Sequence, residues 1–132
     1  MENKLKIWII AAIVALLVAG GVYYFWQLQH QKFVMLSDFA KCIANSGAKF
    51  YGAFWCPHCQ NEKSLFQTYF ESAEKDLPYV ECSTADSKGQ LEICSKEKIQ
   101  AYPTWKFKNG SVSEGELSLA ELSEKTACPL PK

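Results

Sequence analysis

Residues 7–26 run for twenty positions without a charge. At about 1.5 Å per residue, a helix of that length crosses the hydrocarbon core of a bilayer, about 30 Å thick. Lys4 and Lys6 precede the run, and Tyr23, Tyr24, Phe25 and Trp26 close it, the pattern favoured at the two interfaces of a membrane. The run has no polar face to turn toward water, which argues against a buried core helix. A cleaved signal peptide is the competing reading, with Val18-Ala19-Gly20 as its cleavage site; the length of the run and its four closing aromatics weigh against it. The chain then divides into a cytoplasmic tail (1–6), a transmembrane anchor (7–26), a linker (27–35) and one domain (36–132). The lysines of the short tail favour keeping it in the cytoplasm, a vote that Lys32 and Lys41 weaken slightly. The expectation is a single-pass signal-anchor protein of the cell membrane, its domain on the extracytoplasmic (periplasmic) side.

The 106 residues after the run suffice for one small domain with a thin margin of buried surface. They carry 12 lysines against 13 acids, and the chain has no arginine. That balance lacks the basic footprint and guanidinium forks that phosphate backbones require, so no nucleic-acid partner is expected. Six cysteines point to an oxidising compartment or to a metal site. Ser37 reads as the cap of a helix running to about Ser46, with Phe39, Cys42 and Ile43 on one face and Gly47 ending it. Residues 49–54 and 79–82 read as short strands. Between them Pro57 opens a helix whose buried stripe is Leu65, Phe66, Tyr69 and Phe70. A third helix spans 88–98, with Leu91 and Cys94 in register. Residues 104–108 alternate, Trp105 and Phe107 inward, and Asn109-Gly110 turns the chain into an edge strand reaching Glu114. Ser118 and Glu121 form a capping box for the last helix. The fold class is α/β: a mixed four-stranded sheet flanked by helices, a parallel crossover unit followed by an antiparallel hairpin.

The chemistry sits at Cys56-Pro57-His58-Cys59. Two cysteines three apart at the start of a helix can close and reopen a disulfide with little backbone movement. The helix N-terminus favours the thiolate of the first, which makes Cys56 the candidate nucleophile and Cys59 the resolving thiol. His58 adds a donor, and when protonated a positive charge, which would stabilise the reduced form and make the pair more oxidising. The competing reading is half of a zinc site. Zinc would call for a second close pair, and Cys42, Cys82, Cys94 and Cys128 offer none, so no metal is expected. Glu114 and Glu116 lie around a loop glycine and are assigned no chemistry.

Phe54-Trp55-Cys56-Pro57-His58-Cys59, followed by Tyr102-Pro103-Thr104, resembles a thioredoxin-fold domain. Residues 50–55, Glu81-Cys82-Ser83, Cys94 and Tyr102-Pro103-Thr104-Trp105 resemble, more narrowly, the thioredoxin-like domains that accompany bacterial homologues of vitamin K epoxide reductase. The resemblance covers about residues 36–128. It implies electron transfer from the thiols of exported, cysteine-containing proteins to a quinone-linked membrane oxidase, with no cofactor beyond the Cys56–Cys59 disulfide. Pro57-His58 also matches the periplasmic thiol oxidants of the Dsb type. By the family pattern Pro103 is a cis proline against the active-site sulfurs, leaving the backbone of Tyr102 to pair with a substrate peptide, whereas the residues alone allow an ordinary trans turn. Trp55 is either core or part of the substrate surface. Thioredoxin proper has a buried acid in the strand before its active site; Phe50 stands there here, which leaves the deprotonation of Cys59 without a bearer.

The four remaining cysteines read as structural. Cys82–Cys94 would close a loop of about a dozen residues, with a stabilisation of about 3 kcal/mol, and Cys42–Cys128 a longer one with about 4–5 kcal/mol in the chain-entropy model. Four cysteines allow three pairings, and this one is preferred. The expected function is that of a membrane-anchored thiol–disulfide oxidoreductase. Its alternatives are an extracytoplasmic reductant of the cytochrome c maturation type and a non-catalytic, tethered peptide-binding module.

Overall fold

Between Gly21 and Gly47 the chain contains neither glycine nor proline, so nothing stops a helix begun in the apolar run. The computed structural model, which describes residues 2–131, accordingly has one helix of 44 residues, α1 (Glu2–Asn45). The linker expected at 27–35 is helix. Ser37, expected as a cap, lies inside it and donates from Oγ to Asp76 Oδ2 at 2.7 Å. The apolar window of α1 has a mean hydropathy of 2.4 and is not covered by protein; the helix is long and apolar enough to cross a membrane. Its last three turns belong to the domain, where Leu36, Phe39, Ala40 and Ile43 are buried at the i, i+3, i+4, i+7 spacing of a core-facing stripe. Gly47, at φ +86°, turns the chain away.

The sheet has the order β2-β1-β3-β4. Strand β1 (Lys49–Gly52) pairs in parallel with β2 (Tyr79–Glu81) and antiparallel with β3 (Thr104–Lys106), which pairs antiparallel with β4 (Val112–Glu114). The mixed sheet read from the sequence is thus present. In the central register Phe50 sits between Tyr79 and Trp105. The Phe50 and Trp105 rings stack at 4.6 Å, and both are fully buried, each contributing about 1.5–3 kcal/mol of burial. Thr104, expected to face outward, is buried too, its Oγ1 donating to the Ala101 carbonyl at 2.7 Å. On one side Phe39 of α1 stacks on Phe66 at 6.0 Å.

Two helices are shorter than their apolar patterns implied. Helix α2 is Pro57–Ser64, and of the expected stripe only Phe66 is buried. After Ser64 the chain folds back in a tight turn, closed by a Gln67–Ser72 bridge and a bond from Thr68 N to the Glu71 carbonyl (2.8 Å). Tyr69 and Phe70 at its tip are 83% and 58% exposed. Helix α3 is Glu92–Lys96 rather than 88–98. Before it, the Thr84 hydroxyl donates to Asp86 and accepts from Gly89 N, which holds residues 84–89 in a loop; after it, Lys98 takes φ +55°. Helix α4 (Leu119–Thr126) has the capping box: Ser118 Oγ accepts from Glu121 N, and the Glu121 carboxylate from Ser118 N.

Two disulfides tie these elements together. Cys42 on α1 joins Cys128 beyond α4, and Cys82 after β2 joins Cys94 on α3. Their Cα separations of 5.9 and 5.5 Å lie where bridges form without backbone movement.

Candidate active site

Strand β1 delivers the chain through Ala53, Phe54 and Trp55 to Cys56, which caps α2 with extended backbone (φ −78°, ψ 119°). Pro57 occupies the first helical position, where its fixed φ suits the helix and its missing N–H is no loss. Cys56 and Cys59 are both unpaired and buried, Cys59 completely. Depth distinguishes the two thiols, the first at the helix end and the second one turn inside it. Burial pushes the Cys59 thiol up to about 12; a backbone hydrogen bond at Ala53 works against the rise, and Cys56 and Glu62 add to it. Gly52 makes room for this sulfur. A Cβ there would lie 2.9 Å from both Cys59 Sγ and a Tyr79 ring carbon, far inside van der Waals contact.

Opposite α2, the Tyr102–Pro103 peptide is cis, and the Cys56 thiol faces the Tyr102 carbonyl at 3.7 Å. Trp55 is half exposed, donates from Nε1 to Ser83 Oγ at 2.8 Å and meets the Tyr102 ring edge-on at 6.2 Å. Trp55, Cys56, Tyr102 and Pro103, separated by up to 48 positions in the chain, therefore meet at one surface. His58 is different: its Nδ1 lies 2.5 Å from Glu116 Oε1, which also accepts from Asn61 Nδ2 at 3.2 Å. These bonds, His58 first, hold the Glu116 carboxyl below its usual range. Glu116, which the sequence marked only as a loop acid, is thus a neighbour of the redox motif.

The second acid missed by sequence reasoning is Glu62. It lies three residues after Cys59 on α2, is fully buried, and accepts through Oε1 from Trp105 Nε1 (2.7 Å) and Leu117 N (3.2 Å). Its Oε2 has no hydrogen-bond partner among the described residues. Burial raises this carboxyl to about 7 against the opposing pull of those two donors, with Glu116 and Glu121 adding to the rise. An acid within a polar stretch of helix reads as solvated, and the only signal in the sequence was its i+3 spacing from Cys59. Among the described residues, no three His, Cys, Asp or Glu side chains gather where they could hold a metal ion.

Two comparisons with known proteins bear on this arrangement. The thioredoxin family model matches residues 32–126. Over 94 residues the chain is 44% identical to Thiol-disulfide oxidoreductase LTO1 of Arabidopsis thaliana, an alignment covering 69% of this chain. The chain spans 24% of the length of that relative. Strand, Cys-x-x-Cys helix, cis proline and mixed sheet all have their place in the matched region: the chain belongs to the thioredoxin family.

Proposed function

We propose that the protein is a membrane-anchored thiol–disulfide oxidoreductase in which Cys56 exchanges with substrate and Cys59 resolves. The observation that carries this reading is the pairing state of the cysteines. Four are locked in disulfides, whereas Cys56 and Cys59 remain a free, adjacent pair at the start of α2 beside the Tyr102 carbonyl. The activity for which the Arabidopsis thaliana relative is named is of the same class.

In the oxidising direction a substrate thiolate attacks Cys56 Sγ of the Cys56–Cys59 disulfide. A mixed disulfide forms at Cys56, and Cys59 leaves as a thiolate. Because burial makes that thiolate costly, it takes a proton, and Glu62, whose carboxyl is held at about 7 and so exchanges its proton near neutrality, is the donor we assign. A second substrate thiolate then attacks the substrate sulfur of the mixed disulfide and releases Cys56. Two electrons pass from a substrate dithiol to the cysteine pair, and the substrate gains a disulfide. In the reverse direction Glu62 accepts the proton of Cys59 as Cys59 resolves the mixed disulfide. Trp55 and Tyr102 form the apolar surface against which the substrate segment lies.

Two independent features support an extracytoplasmic placement of the domain. Two structural disulfides suit an oxidising space, and the lysines before the apolar run suit a cytoplasmic N-terminus. Substrates are then exported cysteine-containing proteins, and a quinone-linked membrane oxidase of the vitamin K epoxide reductase type is the electron acceptor that the sequence resemblance suggests. The Glu116 carboxylate beside His58 favours keeping a second reading, because it offsets the positive charge that would make the pair oxidising. Equilibration with glutathione decides: a potential near −120 mV supports the oxidant and one near about −270 mV the reductant. Unchanged insulin reduction in Cys56→Ser would overturn both.

A further inference from the structure

Tyr69 and Phe70 are adjacent aromatics left in the open at the tip of the turn after α2, where a soluble domain gains nothing from them. Their neighbour explains the placement. Phe25, in the aromatic end of the apolar run, lies 6.1 Å from each ring, and Phe70 completes an apolar groove with Ala19, Val22 and Tyr23 of α1. The next residue of the turn, Glu71, places Oε2 2.9 Å from Nδ1 of His30, five positions further along α1 and so about 7.5 Å further along its axis. His30 in turn stacks on Trp26 at 5.3 Å. The turn is therefore graded along the helix, with aromatic rings at the level of the Tyr23–Trp26 belt and a carboxylate on the side of the domain.

We propose that the 68–71 turn dips into the interfacial layer of a phospholipid bilayer as a second membrane contact beside α1. The proposal rests on the reading of residues 7–26 as a membrane span. Tyrosine and phenylalanine at one level with an existing aromatic belt suit the headgroup boundary, and the contact continues the lipid-facing surface of α1. Because α1 passes into the domain without a break, two contacts fix the tilt of the domain. They thereby fix how Cys56, at the other end of α2, is held above the membrane.

The full chain, with Cys56→Ser and Cys59→Ser and its two disulfides intact, is reconstituted into phosphatidylcholine–phosphatidylglycerol vesicles. Spin labels are attached in turn at Tyr69→Cys, Phe70→Cys, Lys88→Cys and Leu17→Cys. Collision rates with dissolved oxygen and with an aqueous nickel chelate report depth. Expected is severalfold lower nickel access and higher oxygen access at 69 and 70 than at 88, whose side chain is exposed. Labels at 69 and 70 that behave like the one at 88, while the label at 17 is shielded, would overturn the proposal and leave the anchor standing. That result would mean a tip in water, or one kept for a protein partner absent from the vesicles. A label at 17 as accessible as that at 88 would overturn the membrane reading itself.

Discussion

Replacing Glu62 by glutamine keeps the shape of the side chain and an oxygen for Trp105 Nε1 and Leu117 N, but removes the titrating group. In the folded protein this carboxyl is held at about 7 against an ordinary value of 4.5. Between those values the native state binds the proton that the unfolded state has lost, so stability falls as pH rises. The contribution is fully present below about pH 4.5 and lost as pH passes through 7. Between pH 5 and pH 8 that loss amounts to about 2–3 kcal/mol for this one group. Guanidinium unfolding of wild type and Glu62→Gln in detergent at several pH values, disulfides intact, isolates the effect, because every other titrating group is common to both. The gap between the two stabilities should move in favour of the glutamine variant by that amount over the window. The same substitution removes the proton partner of Cys59, so resolution of the Cys56 mixed disulfide should slow on the order of 100-fold, the low end of what a positioned base supplies. Parallel stability profiles together with unchanged resolution would refute the account of Glu62.

His58→Ala removes the side chain that, when protonated, adds a positive charge beside the redox pair, and should lower the reduction potential by about 30 mV, a tenfold shift in the glutathione equilibrium, with the fold unchanged by circular dichroism; an unchanged potential would mean that Glu116 cancels the effect of His58. Gly52→Ala drives a Cβ into Cys59 Sγ and Tyr79 and should cost about 1–3 kcal/mol in denaturant unfolding; an alanine variant of wild-type stability would mean that the strand gives way freely. Loss of the Cys42–Cys128 bridge, which spans 86 residues, in Cys42→Ala/Cys128→Ala should cost about 4–5 kcal/mol, more than loss of the 12-residue Cys82–Cys94 bridge, again read by unfolding.

The elements legible in the sequence are those with local punctuation. Pro57 at the first turn of α2, Gly47 after α1 and the Ser118–Glu121 box fix helix ends by backbone chemistry that does not depend on distant packing. Alternation likewise turned Trp105 inward. Where two signals share one period the reading failed. Serine caps helices but is also tolerated inside them, so Ser37 suggested a break in α1 that its partner Asp76, 39 residues away, makes unnecessary. Leu65, Phe66, Tyr69 and Phe70 have helical spacing, yet the chain turns after Ser64 and only Phe66 reaches the core. Within the site, Cys56 and Cys59 announce themselves by spacing. Glu62 and Glu116 owe their places to Trp105, Leu117 and His58, 43, 55 and 58 positions away from their partners, and no local pattern encodes such contacts.

The central claim, that Cys56 is the sulfur that exchanges with substrate, is tested most directly by trapping. In Cys59→Ala the resolving thiol is gone, and mixed disulfides formed at Cys56 cannot be released from within the chain. Full-length Cys59→Ala in intact membranes, quenched with an alkylating agent and run without reductant, should show adducts that disappear on reduction and are absent from Cys56→Ser/Cys59→Ala. Adducts that persist without Cys56, or a Cys59→Ala protein that forms none, would contradict the assignment.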